Sequence, residues 1–281
     1  MNFKPIIIVA GEPNSVFLEI FFKAIKNYTK NPIVLVGSYK ILKMQMKRLK
    51  FKKKIRLLDY KKIKDYFLDN KSINLVNVNF NQKKAFVKIS NKSNSYINKS
   101  FEIALKIINS GFSSRLINGP ISKKYFLNKK YIGVTEYISK KYKIKRPAML
   151  IFNKNLSVCP ITTHLPLKNV TTQINQKTIE EKIDLIDKFY RKIIGVKPKI
   201  GVLGLNPHCE SIAKYNEDEK IIKPAIVKLK KSKINVTGPY PADTCFLKSN
   251  RKNFNVIVGM YHDQVLTPMK TLFEYDAINL T

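Results

Sequence analysis

Short apolar runs that end in turns, each followed by a segment with helical spacing, recur along this chain and constrain it to an alternating α/β architecture. The opening PIIIVAGEPNS reads as a buried strand running into a turn, and SVFLEIFFKAIKNY behind it carries apolar residues three and four apart. NPIVLVGS followed by YKILKMQMKRLKF repeats the pattern, and KIRLLDY and INLVNVN add two more strands. YINKSFEIALKIINS is an amphipathic helix, GF breaks it, and SSRLINGPIS reads as a strand ending in a Gly-Pro turn.

The second half repeats the alternation. KKYFLNKK and TEYISKKY are helical, and AMLIFN and LSVCPITT form a pair of strands joined by the short NKN hairpin. QKTIEEKIDLIDKFYRKII is the clearest helix in the sequence. KIGVLGLNPH, a helix over NEDEKIIKPAIVKLKKS with Pro224 in its first turns or at a kink, and NVIVGMYHD complete a second α/β region. A chain of 281 residues built this way suits two packed lobes, expected over 1–120 with 256–281 and over 121–255. After helical LTPMKTLFEYD the strand-like AINLT ends the chain at the point where a covering helix is expected, so sequence beyond residue 281 is anticipated.

Composition narrows the function classes. Lys and Arg number 53 against 19 Asp and Glu, a formal charge of +34 that by itself suggests a polyanion partner. The excess is mostly lysine spread over nearly every segment, alongside heavy use of Ile and Asn, a bias expected to reflect AT-rich coding rather than a selected surface. KMQMKRLKFKKKIR, the densest stretch, lacks interleaved aromatics and matches no nucleic-acid module, so no specific nucleic-acid partner is expected. The same field attracts phosphorylated metabolites. Cys159, Cys209 and Cys245 show no CxxC spacing, which fits a reducing compartment. No stretch approaches the roughly 18 apolar residues a membrane span needs, so a cytoplasmic protein without a membrane partner is expected. GxGxxG, GxxxxGKS/T and GxSxG are absent.

Chemistry concentrates in the histidines. All three follow a strand: His164 in ITTHLPL, His208 in LNPHCE and His262 in MYHDQ. Ligands collect outside the carboxyl ends of the strands of an α/β sheet, so three imidazoles from distant segments are expected to share one metal there, with positions left for water or substrate. The alternative for each alone is a hydrogen-bonded loop residue. Asp263 and Asp243, the latter in GPYPADT, either orient an imidazole, contact substrate, or cap a turn.

TTHLPL, GLNPH, NGPISK, GPYPADT and above all MYHDQ, followed by a lysine eight residues on and by INLT, resemble the 4-hydroxythreonine-4-phosphate dehydrogenase family of pyridoxal phosphate biosynthesis. The resemblance runs in order from about residue 5 to the end. It implies an isocitrate or isopropylmalate dehydrogenase-like α/β/α fold and a homodimer, with the second lobe dimer-forming and the active site at the interface. It also implies NAD or NADP bound without a Rossmann fingerprint, and a divalent metal (Zn, Mg or Co) held by His164, His208 and His262 across the dimer. Substrate contacts carry over to Thr135, Lys270 and Asn279, joined here by Asp243; Lys270 and Asp263 are the catalytic candidates. The implied reaction oxidises 4-phosphooxy-threonine to 2-amino-3-oxo-4-phosphooxybutanoate, which decarboxylates to 3-amino-2-oxopropyl phosphate.

Three departures qualify this expectation. The family's GHTE is GVTE here, so Val134 replaces a substrate-contacting histidine. GEPNSVFLE stands for GEPAGIGPE, with two glycines lost from the first turn. The family also continues past INLT through a segment with a substrate-binding arginine and a DHG. They leave two alternatives open, a dehydrogenase of threonate or erythronate phosphate and a catalytically impaired metal-binding homologue.

Overall fold

The computed structural model describes residues 4–27, 30–128, 130–141, 143–144, 147–210 and 215–281. Tyr28, Lys129 and Tyr142, near the ends of three expected helices, lie outside these residues. The chain divides into two units, Met1–Val134 and Thr135–Thr281.

The first unit alternates as its sequence predicts: β1 Ile6–Val9, α1 Phe17–Ala24, β2 Ile33–Gly37, α2 Tyr39–Arg48, β3 Ile55–Leu58, β4 Ile73–Asn77, α3 Asn94–Asn109 and β5 Leu116–Asn118. Its strands form one parallel sheet in the order β3-β4-β2-β1-β5. Parallel strands are covered on both faces, and the near-continuous apolar runs IIIV and IVLV follow from that. On one face Phe21 and Phe22 of α1 and Ile41, Leu42 and Met46 of α2 bury against Ile8, Leu35 and Leu75. α3, with Ile97, Phe101 and Ala104 buried, packs on β1 and β2. At roughly 1.5–3 kcal/mol for each large apolar side chain removed from water, these stripes hold the helices whatever their lysine-rich outer faces do.

The boundary falls after the first residue of α4 Val134–Lys141, and the second unit continues with β6 Leu150–Phe152, β7 Ser157–Pro160, α5 Val170–Gln173, α6 Gln176–Phe189, β8 Ile200–Leu203, α7 Lys223–Lys231, β9 Val236–Tyr240, α8 Ala242–Cys245, α9 Lys248–Arg251, β10 Val256–Gly259, α10 His262–Phe273 and β11 Ile278–Leu280. The sheet order is β11-β6-β7-β10-β8-β9. β7, β10, β8 and β9 run parallel, while β6 pairs antiparallel with β7, as the NKN hairpin predicts, and with β11. Ile179, Ile183 and Ile186 of α6 and Ile226 and Leu229 of α7 cover one face against Val202, Val256 and Val258. Val265 and Met269 of α10 cover the other, with Phe246, against Ile257 and Val158.

Two features differ from the sequence expectation. Residues 256–281 lie in the second unit and not with the first lobe, because the fully buried VIVG of β10 inserts between β7 and β8. The division falls at 134 and not at 120, since Asn94 Nδ2 at the start of α3 donates to the Tyr125 carbonyl (2.8 Å) and Leu127 is buried, tying 121–127 to the first unit. No membrane-length apolar helix occurs among the described residues.

Candidate functional site

The adjacent parallel strands β7, β10 and β8 end at one rim of the second sheet. Pro160 is in register with Gly259, and Val258 with Val202. Each strand runs directly into one of the histidine-bearing turns, as the sequence predicts.

These turns are tied to one another by side chains. The Thr162 hydroxyl and backbone N–H both donate to the Met260 carbonyl, at 2.8 and 3.1 Å, joining the His164 turn to the His262 turn. Gln264 Oε1 accepts from Met260 N–H (2.6 Å), and its Nε2 donates to the Gly204 carbonyl (2.7 Å) just before LNPH. On the far side the fully buried Asp218 accepts from Leu205 N–H (2.7 Å), Asn206 N–H (3.1 Å) and Asn206 Nδ2 (2.9 Å).

His164 and His262 come together, with ring centroids 5.4 Å apart and planes tilted by 37°. His262 opens α10, and its Nδ1 lies 2.7 Å from Asp263 Oδ1 in the helix's first turn, where a carboxylate also suits the helix dipole. His164 Nδ1 lies 3.7 Å from Glu136 Oε1, an electrostatic contact longer than a hydrogen bond. With Nδ1 of each ring turned to a carboxylate, Nε2 is the atom left on each for another partner. His208 stands apart: it is exposed and adopts a left-handed backbone (φ 56°), and no cluster of three metal-binding side chains occurs among the described residues.

The remaining expected residues are placed as follows. α4 carries Thr135 on one side, its hydroxyl 3.1 Å from that of Thr281, and Glu136 toward His164. Asn279, on β11 opposite Ile151, lies two residues before Thr281, so both take the same side of the extended chain. Thr135 and the end of the INLT segment are thus brought together. Asp243 is exposed in the first turn of α8. Lys270 is exposed on α10, donating to the Glu274 carbonyl (3.1 Å) and lying over the Tyr275 ring. Val134 begins α4, half-buried.

Sequence reasoning missed Glu136 and Lys182. Lys182 is only 7% exposed, and its Nζ reaches the Pro160 carbonyl at 3.5 Å, behind the His164 turn. Burial lowers its pKa, opposed by Cys159 and Glu136. Glu136 Oε2 is itself buried without a hydrogen-bond partner, so a cation nearby is its available compensation. The signal existed: Lys182 falls three residues after Ile179 and four before Ile186, on the apolar stripe of α6, but one lysine among so many lysines and arginines does not stand out. Cys159, fully buried beneath the same rim, has its thiol pushed up to about 11 by burial, against the pull of Lys182, and is no nucleophile at neutral pH.

Comparison with known proteins gives this rim its context. The family model described as pyridoxal phosphate biosynthetic protein PdxA matches residues 29–281. The 4-hydroxythreonine-4-phosphate dehydrogenase of Sulfurihydrogenibium sp. is 34% identical over 280 residues, 98% of this chain and 85% of that protein. A D-threonate 4-phosphate dehydrogenase of Salmonella typhimurium is 26% identical over 289 residues, 100% of this chain and 88% of that protein. The crystal structure of 4-hydroxythreonine-4-phosphate dehydrogenase from Klebsiella pneumoniae matches with a TM-score of 0.83 at 25% identity, covering 98% of this chain and 87% of that one. The isocitrate/isopropylmalate dehydrogenase-like α/β class expected from the sequence holds. The chain belongs to the PdxA family of pyridoxal phosphate biosynthetic proteins.

Proposed function

We propose that this protein oxidises 4-phosphooxy-threonine with NAD(P) and a divalent metal, giving 2-amino-3-oxo-4-phosphooxybutanoate, which loses carbon dioxide to yield 3-amino-2-oxopropyl phosphate. The observation that carries the reading is the His164–His262 pair at the carboxyl rim, with rings 5.4 Å apart and a carboxylate beside each Nδ1, in a chain of this family. Such a pair fits a cation: two imidazoles with carboxylate-oriented tautomers are the usual donor set for zinc and its neighbours. His164 and His262 would hold it from one protomer. The exposed His208 would complete the set from the partner of a homodimer, formed through the second unit with the active site at the interface. When bound, the metal supplies Lewis acidity that eases ionisation of the substrate alcohol and polarises the resulting ketone.

The protein's own groups do the rest. Thr135, Asp243, Lys270 and Asn279 bind and orient the phosphorylated amino acid. The alcohol loses its proton to Asp263, with the Lys270 ammonium assisting by its charge, and its carbinol carbon gives a hydride to the nicotinamide, so two electrons leave that carbon and enter NAD(P). NAD(P) acts as co-substrate. The turn after β1, where a dinucleotide fold holds pyrophosphate, does not fit that role. It buries the Glu12 carboxylate, which accepts from Ser93 Oγ (2.6 Å) and Asn14 N–H (3.1 Å) and would repel an anion. Three free buried cysteines suit a reducing cytoplasm.

The second reading is oxidation of threonate 4-phosphate. Val134 in place of the family's substrate-contacting histidine favours it, together with the match of the whole of this chain to 88% of a D-threonate 4-phosphate dehydrogenase. Chelator-treated protein reconstituted with Zn, Mg or Co and offered both phosphate esters decides between them. NAD(P)H formation from 4-phosphooxy-threonine, lost on chelation, is the expected result. Metal-independent turnover, or turnover of threonate phosphate alone, overturns the first reading. Val134→His should raise kcat/KM for the preferred ester by about tenfold, the worth of one charged hydrogen bond of roughly 1.5 kcal/mol.

A further inference from the structure

Gly204 C=O and Leu205 N–H are the two halves of one peptide unit. Gln264 Nε2 donates to the carbonyl from the His262 turn (2.7 Å), and Asp218 Oδ1 accepts from the N–H out of the segment leading into α7 (2.7 Å). The grip extends at both ends, through Gln264 Oε1 to Met260 N–H and through Asp218 Oδ2 to Asn206 N–H and Nδ2. Space around it is exhausted. A Cβ at Gly204 would lie 2.7 Å from both Asp218 Oδ1 and Cys209 Sγ, and one at Gly259 would lie 2.8 Å from Gln264 Oε1. Directly downstream, His208 and Cys209 both take left-handed conformations (φ 56° and 61°). A residue without glycine's freedom holds such a conformation only where its surroundings over-determine it.

We propose that Gln264 and Asp218 are positioning residues that clamp the Gly204–Leu205 peptide from opposite sides and so hold the His262 and His208 turns in one fixed relation. Neither need touch substrate. Both act through the direction in which two imidazoles leave the rim, and for the effect on metal binding the inference rests on the function proposed above.

With three histidines in the chain, the imidazole proton spectrum holds three sets of signals, assignable by single His→Gln substitutions. Gln264→Met keeps length and loses both bonds; Asp218→Asn keeps shape and sets an NH2 against a donor. In chelator-treated protein each is expected to shift the signals of both His262 and His208, with melting curves verifying that the variants fold. If Gln264→Met moves only His262 and Asp218→Asn only His208, the clamp is disproved; should Asp218→Asn not fold, Gln264→Met decides alone. With Co2+ as the probe, each variant should bind about 10–100-fold more weakly, the range for groups that orient ligands. The double variant should be no weaker than the weaker single, since both act on one peptide; full additivity refutes the clamp. Absence of Co2+ binding by the wild type would end the metal reading, and the ring signals would still judge the clamp.

Discussion

At the residue scale the site is a chain of partly compensated charges: Asp263, His262, His164, Glu136 and the buried Lys182. Glu136→Gln keeps the shape but removes the charge beside His164 and Lys182. Metal affinity measured by Co2+ titration should fall about 10–100-fold, and an unchanged affinity would assign Glu136 to structure alone. The histidines were legible in the sequence because each follows an apolar strand. Glu136 was not, because its partner lies in a different turn and only folding brings the two within 3.7 Å. Cys159 makes a separate prediction. Its thiol titrates near 9.0 when free and at about 11 in the fold, so between these values the folded state keeps a proton that the unfolded state has lost. Stability is therefore complete below pH 9 and declines as pH rises through 11, by an amount on the order of 2–3 kcal/mol for a shift of this size. Cys245, raised to about 11, and Tyr96, raised to about 12, act in the same sense, while the depressed Lys182 acts in the opposite one. Urea unfolding from pH 8 to 11 should show a shallower alkaline decline in Cys159→Ala than in the wild type; parallel curves would refute the assignment.

At the element scale, function depends on which strands are neighbours. β7, β8 and β10 were each readable as apolar runs, but a run does not declare its partner, and β10 joins strands far from it in sequence. That is why 256–281 was expected in the wrong lobe. β9 was missed because VTGPY carries Gly238 and Pro239, which mark an edge strand or none. β11 is the vulnerable element. It is three residues long, lies at the sheet edge and is pinned by Asn153, whose Nδ2 donates to the Asp276 carbonyl and to Asp276 Oδ2 (3.2 Å). Asn153→Ala should cost about 1–3 kcal/mol of stability. Because it loosens the strand that carries Asn279, the proposed substrate contact, and leads into Thr281, KM for the phosphorylated substrate should rise several-fold with kcat nearly unchanged. An equal fall in kcat would place β11 in the chemical step.

For the whole molecule the formal charge of +34 sets the field in which a phosphorylated substrate arrives. Lysines distributed over nearly every segment do not focus that field as a lined cleft does, so its effect is general attraction and not recognition. The screening length falls from about 30 Å at 0.01 M salt to about 8 Å at 0.15 M. Over that change distant lysines drop out of the approach path, while residues in contact with substrate keep their effect. kcat/KM for the phosphate ester should therefore decline several-fold across this range, with kcat constant, because only encounter is weakened. A dephosphorylated analogue, turned over slowly, should show a much flatter profile. If both substrates lost activity in parallel, salt would be acting on the protein or its metal and not on the approach of a dianion. If neither responded, the lysine excess would have no part in catalysis at all.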